Sequence, residues 1–483
     1  MTARMRPWQN PPGVLPSPDA LTRARESLPP SLPEQGIGDE ETESHILNDI
    51  VPGFNHSSDN ANYYGFVTGG VNPAALSAEK IVAEHDQNVQ VHLPNHSVAT
   101  DVEHKALGLL AELLDLDTSV WHNGTFTTGA TASNVLGLAC GREFALRAAA
   151  ARKGAQIDSV GEFGLFQMMM AACLSGIQVL TTMPHSSLVK AAGILGIGRS
   201  NVKDVGSDDN PLRFDMKRLE TELARTDTAS IVAVSCGEVN TGQFATNSSD
   251  MLALRRLCDQ YGSWLHVDGA FGIFSRILDS EPDWDQVKTG GAGVEMADSI
   301  TGDGHKLLNV PYDCGFFLSR HLDEASKVFR NANAAYLSAG DGAGPSIPSP
   351  LNIGIENSRR FRALPVYASL LSLGKSGYRE MLESQIRLAR KIAGWLFDHP
   401  KYITLPQSND RDELLLNTYM VVLFAAQDDE VNQEFAARIN DTRKMFVSGT
   451  TWQGRPACRI AIANYLADEG DFNFVAETLE SVV

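Results

Sequence analysis

Between residues 76 and 116 apolar positions recur at i, i+3 and i+4, a period that predicts helices over 76–91 and 102–116. The middle of the chain alternates between two periodicities. Helix-like runs at 132–151, 187–195, 216–224 and 251–261 are separated by short β-branched or apolar runs at 177–181, 231–235, 264–267, 299–300 and 315–318. Alternation of this kind predicts a mostly parallel sheet covered by helices, since each parallel crossover needs a connection long enough to return. The stretch GDGAGPSIPSP (340–350) breaks the pattern and predicts an exposed loop or mobile flap. Beyond it, 362–373 and 378–397 read as helices, and 418–424 and 459–463 as strands of a smaller α+β domain. Residues 1 to about 40 are rich in Pro, Ser and Glu, with one helix-like piece near 21–28. They form either an arm that folds against a partner subunit or a loose lead-in. No internal repeat is visible.

The 483 residues suffice for one large α/β domain with appendages, and 43% hydrophobic residues with 41 glycines fit a globular chain rich in tight turns. No stretch approaches the roughly 18–20 apolar residues of a membrane span. The first residues (MTARMRPWQNPPG) have no apolar run behind their basic positions, which predicts a cytoplasmic protein. A net charge of −19 argues against nucleic acid, which needs a basic face. The six cysteines are scattered without a C-x-x-C pair, so reduced, mostly buried thiols are expected and no metal site.

Four segments carry candidate chemistry. In TGDGHKLLNVPYDCGFF, Lys306 follows a strand and begins an apolar run, where an ammonium must be paired or easily deprotonated. A neutral amine there is what attack on a carbonyl requires, although a lone lysine also reads as a surface residue with a buried stem. In WLHVDGAFG, an apolar strand ends in Asp268 beside small Gly269 and Ala270. Ligands of open α/β sheets sit at such strand ends, and a carboxylate there can keep a pyridinium nitrogen protonated; the plainer reading is a turn-forming Asp. In FTTGATASNVLGLA, Gly129-Ala130-Thr131 opens an Ala-rich helix, either as a phosphate site or as simple N-capping. In MPHSSLVKAAGILGI, His185 precedes a helix and is either an incidental loop residue or a ring that stacks on an aromatic group.

Taken in this order, phosphate turn, His-Ser-Ser, strand-Asp-x-Ala and His-Lys resemble the group II pyridoxal-dependent decarboxylase family, over about residues 63–377. The resemblance implies the aspartate-aminotransferase-type α/β fold (fold type I), with a mostly parallel seven-stranded sheet. Around it are expected an N-terminal segment over 1–95, a large cofactor domain over 96–350 and a small α+β domain over 351–483. It also implies pyridoxal 5'-phosphate as cofactor, an amino acid as substrate, and a homodimer with the active site at the interface. Lys306 then resembles the Schiff-base lysine with His305 beside it, Asp268 the partner of the pyridine nitrogen, Ala270 the residue under the ring and His185 the stacking histidine. Ala130 and Thr131 fall where the family binds phosphate, and Asp303 on a polar position before His-Lys. YYGFVTGGVNPAAL resembles the substrate segment, with Phe66 lining the pocket and Thr68 near the substrate carboxylate. ENSRRFRALPVY makes Arg360 a structural or carboxylate-contacting candidate, and Tyr336 in AAYLSAG resembles the tyrosine that protonates the product carbon. VQVHLPNHS is a candidate contribution from a partner subunit, through His92 and His96, or else an ordinary loop.

Three departures stand out. Leu307 replaces the family's Trp after His-Lys. Gly237-Glu238-Val239 replaces Gly-Thr-Thr, placing Glu238 where a hydroxyl would approach the cofactor. The phosphate turn reads Ala130-Thr131-Ala132-Ser133 where Gly-Ser-Glu-Ala is common. The expected reaction is decarboxylation of an aromatic or medium-sized apolar L-amino acid to the amine. Decarboxylation coupled to oxidative deamination, another reaction at Cα, and a non-catalytic dimeric interaction module are the alternatives.

Overall fold

The computed structural model describes residues 13–121, 123–331 and 347–483, and the chain divides into two compact units. The larger spans Val71–Glu383 with Leu416–Tyr419. Its sheet contains β1 (Asn123–Thr127), β2 (Gly176–Thr181), β3 (Val202–Asp204), β4 (Thr228–Ser235), β5 (Trp264–Asp268), β6 (Ser299–Asp303) and β7 (Gly315–Ser319). The order is β1-β7-β6-β5-β4-β2-β3 in one seven-stranded sheet. Only β7 runs against its neighbours, pairing antiparallel with both β1 and β6. The expected mostly parallel seven-stranded α/β sheet is therefore present.

The central strands are apolar because helices cover both faces. β4 is buried from Thr228 to Val234 and β5 from Trp264 to Val267. The helix Ala130–Arg152 lies against them, and its Leu136, Leu138 and Leu146 share a core with Val179, Ile231 and Trp264. The helix expected over 76–91 runs Pro73–His85 instead. Asn72 caps its start through Ala75 N–H, Pro73 fits the first turn, and Asp86 ends it in a left-handed conformation (φ 40°). The two helices expected over 362–397 form one run, Ala363–Asp398, broken at Gly374 (φ 58°), where a left-handed residue costs glycine least.

Arg359 anchors this unit from within. Its guanidinium, 2% exposed, meets Glu103 Oε2 at 2.6 Å and donates to Thr125 Oγ1, Phe126 O and Val89 O. His92, one of the loop histidines, is buried with Nδ1 2.8 Å from Thr100 Oγ1, in the helix Ala99–Leu113 that follows its loop.

The smaller unit joins the described residues up to Gly70 with Ser384–Leu415 and Met420–Val483. An antiparallel sheet of β8 (Tyr402–Leu405), β9 (Val421–Ala426), β10 (Ser448–Trp452) and β11 (Arg455–Ala461) runs β10-β11-β9-β8. Leu388, Ile392, Phe424, Phe435 and Ile460 are the middle of its core. The helix-like piece near 21–28 runs Pro18–Glu26, capped by Ser17.

All six cysteines are unpaired, with Cys173 exposed and the others buried. Among the described residues no helix is long and apolar enough to cross a membrane.

Arg359→Met leaves the Glu103 carboxylate buried without its partner. It is expected to lower the unfolding free energy by ~3–5 kcal/mol, against less than ~1 kcal/mol for the surface Arg360→Met. Urea unfolding followed by circular dichroism measures both, and equal losses would show that the buried pair has no special weight.

Candidate active site

The parallel strands β4, β5 and β6 end side by side. Ser235 lies opposite Asp268, and Asp268 opposite Thr301. The ladder continues past the strand ends through Cys236 N–H to Asp268 O and Gly269 N–H to Thr301 O, both 2.8 Å. Residues at these ends face a cavity of ≈ 270 Å³ lined among others by Asp268, Ala270, Phe271, Asp303, His305 and Lys306. From the other side come Thr128–Ala132, Met183, His185 and Ser187, with Gly237 and Val239 at the end of β4. A carboxyl end of a parallel sheet with convergent polar groups is the ordinary place for a ligand.

Asp303 organises the lysine. Its Oδ2 lies 2.7 Å from Lys306 Nζ, and its Oδ1 accepts the Ala130 N–H at 2.5 Å. His305 Nε2 is 3.5 Å from the same Oδ1, and its ring packs on Tyr312 at 4.5 Å between centroids. Burial pushes the Asp303 carboxyl up, but the charges of Lys306 and His305 outweigh it and the net shift is downward. Burial holds the His305 imidazole below its ordinary value, against the pull of Asp303. The sequence allowed Lys306 to be paired or easily deprotonated; the structure shows it paired, with Nζ 5.8 Å from the Phe271 ring centre.

The turn before the Ala130 helix lies directly on β7: a Cβ at Gly315 would stand 2.5 Å from Gly129 Cα. Ser133 N–H to Gly129 O is the first bond of the helix ladder, so the amides of Thr131 and Ala132 have no partner within the helix. Thr131 and Ala132 both line the cavity, whereas the Ala130 amide is already taken by Asp303. His185 caps the helix Ser186–Ile194: its Nδ1 accepts from Ser187 N–H at 3.2 Å and lies 2.7 Å from Ser187 Oγ. Asp268 Oδ1 accepts from Ala270 N–H at 3.2 Å, and Oδ2 from Asn134 Nδ2 at 2.8 Å.

Lys306, His305, Asp303, Asp268, Ala270, His185, Ala130 and Thr131 are thus brought to one cavity. The other described candidates are not among its lining residues. Arg360 is on the surface beside Glu79, while its neighbours Arg359 and Arg362 are the buried arginines of that stretch. Arg362 pairs with Asp313 and Glu356. Phe66 and Thr68 belong to the smaller unit: Phe66 N–H donates to Ser448 Oγ at 2.8 Å, and Thr68 Oγ1 to Gly65 O at 3.1 Å. Tyr336 lies outside the described residues. Glu238 does not face the cavity as expected. Its buried carboxylate accepts from Asn240 N–H and Nδ2 and from Thr241 N–H and Oγ1, so it ties its own loop, and Val239 takes the lining position. Two further residues, Asn134 and His266, stand behind Asp268. Their signal is a helix-interior Asn on the same face as Gly137 and Gly141, and a His inside an otherwise apolar strand.

Residues 22–405 match the family model described as the pyridoxal-dependent decarboxylase conserved domain. The chain is 28% identical to an L-2,4-diaminobutyrate decarboxylase of Acinetobacter baumannii, over 56% of this chain and 51% of that protein, about half its length. It is 25% identical to an aspartate 1-decarboxylase of Aliivibrio fischeri, over 90% of this chain and 82% of that one. Among solved structures, Oryza sativa TDC with PLP and tryptamine superposes with a TM-score of 0.80 at 21% identity, covering 97% of this chain and 92% of that one, a likeness of fold.

His266 is wholly buried, and burial lowers its pKa from 6.5 to about 4, against the pull of Asp268. The unfolded chain therefore takes up a proton there that the native state refuses, and stability is expected to fall as pH drops from 6.5 towards about 4, by up to ~3 kcal/mol. Chemical unfolding at a series of pH values measures this. The slope is expected to flatten in His266→Phe; a slope unchanged in that variant would assign the acid sensitivity to other groups.

Proposed function

The chain belongs to the pyridoxal-dependent decarboxylase family, and on that premise we propose that it removes the carboxyl group of an L-amino acid as carbon dioxide, giving the amine, at the cavity where β4, β5 and β6 end. The observation that carries this is the presence of the Lys306 amine and the Asp268 carboxylate on the walls of one ≈ 270 Å³ cavity. The donor set fits pyridoxal 5'-phosphate. Lys306 would hold its aldehyde carbon, Asp268 its ring nitrogen, His185 one face and Ala270 the other. Thr131 and the unbonded amides of the Ala130 helix would hold its phosphate. When bound, the cofactor supplies an electron-withdrawing ring that stabilises the charge left at Cα as the carboxyl group departs.

The chain's own residues supply position and protons. Asp303 aims Lys306 Nζ from 2.7 Å. Asp268, fixed by Ala270 N–H and Asn134, keeps a negative charge at the edge of the cavity where positive charge must be held. Met183, Val239 and Phe271 give the cavity apolar walls, and among its described lining residues Lys306 is the only lysine or arginine. A lining of that kind favours an aromatic or medium-sized apolar side chain over an acidic one. For Phe66, Thr68 and Arg360 as substrate contacts, and for Tyr336 as the acid that protonates Cα, the family resemblance is the support. A homodimer with its active sites at the interface is proposed on the same ground.

Carbon dioxide release from each common L-amino acid, measured on the loaded enzyme, is expected to be fastest with aromatic or apolar substrates and matched by amine. Aldehyde with peroxide in place of amine would replace simple decarboxylation by its oxidative variant. Lys306→Ala is expected to lose activity by at least ~100-fold, and Asp268→Ala by ~100- to 1,000-fold with the fold retained. Normal turnover in Lys306→Ala would remove the site assignment.

A further inference from the structure

Asn134, inside the Ala130–Arg152 helix, uses every hydrogen-bonding position of its side chain. Nδ2 donates to Asp268 Oδ2 at 2.8 Å and to Ser187 Oγ at 3.2 Å. Oδ1 accepts from Thr301 Oγ1 at 3.2 Å and lies 2.9 Å from His266 Nε2. A carboxylate only accepts, so the amide nitrogen must face Asp268 and the orientation of Asn134 is fixed. His266 Nε2 must then carry the hydrogen. In the neutral imidazole Nδ1 is left bare, to accept from Ser299 Oγ at 2.8 Å. Ser299 Oγ in turn accepts from the Trp264 indole N–H at 2.9 Å, a group that only donates. The chain Trp264, Ser299, His266, Asn134, Asp268 therefore has one consistent direction, running from an obligate donor to an obligate acceptor.

A branch leads to the other side of the cavity. Ser187 Oγ receives the second Asn134 N–H and sits 2.7 Å from His185 Nδ1. Ser187 N–H also points at Nδ1, which makes Nδ1 the acceptor and fixes the His185 ring plane. The helix backbone is shaped to admit this network. A Cβ at Gly137 would stand 2.3 Å from His266 Cε1, and one at Gly141 2.9 Å from Trp264 Cδ1. Two positions four apart on one helical face are thus kept bare where these rings lie.

We propose that Asn134 is a positioning residue for the reaction, holding the Asp268 carboxylate and, through Ser187, the His185 imidazole in one fixed relation to the cofactor, with His266, Ser299 and Trp264 as its backing. The proposal rests on the assignment of Asp268 and His185 to the cofactor made above. An Asn that only tied helix to sheet would affect stability and leave the cofactor's electronics alone.

The test is the ring-nitrogen chemical shift of ¹⁵N-labelled pyridoxal phosphate bound to the wild-type enzyme and to Asn134→Leu at neutral pH, with kcat and KM on the same samples. The wild type is expected in the pyridinium range and Asn134→Leu shifted towards neutral pyridine. In that variant kcat should fall about 10- to 100-fold while KM changes less than about 3-fold. Should Asn134→Leu fail to fold, Asn134→Ser and Gly137→Ala, which displaces His266, are read by the same shift. A folded variant with wild-type shift and kcat overturns the proposal. A neutral-pyridine shift in the wild type itself overturns the Asp268 assignment, and the proposal falls with it.

Discussion

The in-register parallel pairing of β5 with β6, Asp268 opposite Thr301 and Gly269 N–H on Thr301 O, is the constraint from which the site follows. Neighbouring strands run about 4.8 Å apart, so a carboxylate ending one strand and an amine just past the end of the next are held on adjacent tracks. A one-residue slip would turn Asp268 to the opposite face of the sheet and separate the pair. This pairing is closed to water, with β6 buried along its whole length and β5 up to Val267. The chemistry is thus positioned by the ends of the parallel sheet.

Electrostatics then decide which charges survive burial. Asp303 is 4% exposed and would be costly as an isolated anion, yet it stays charged beside Lys306 and His305, with the Ala130 amide on its other oxygen. One carboxylate thereby joins the lysine turn to the start of the Ala130 helix. Asp268 is supported differently, by neutral donors, and behind them by an imidazole that burial keeps uncharged. The two carboxylates of the cavity are held by opposite means, one against a cation and one by a directed chain of neutral hydrogen bonds.

Much of this was legible in the sequence. The helix and strand periods between 132 and 318 locate most of the large sheet, and the Lys306, Asp268, His185 and Thr131 segments converge as their order suggests. β1 was not legible, because NGTFT has neither alternation nor an apolar run; its burial comes from pairing with β7 and not from its composition. β3 is too short, at 3 residues, to show a period. The arginine stretch shows why spacing alone cannot assign roles: Arg359, Arg360 and Arg362 read alike, but only the packing of Glu103 selects Arg359 for burial. Glu238 turns away for a related reason, since donors on Asn240 and Thr241 hold its carboxylate within its own loop. Asn134 was hidden because its partners lie 53, 132 and 134 residues away, at Ser187, His266 and Asp268.

The central claim is that Lys306 is the amine that meets the cofactor. Borohydride reduction of the enzyme loaded with pyridoxal phosphate, followed by peptide mass spectrometry, tests it directly. The account predicts a single stable phosphopyridoxyl label on Lys306; a label on another lysine, or none in enzyme that releases carbon dioxide, would contradict it.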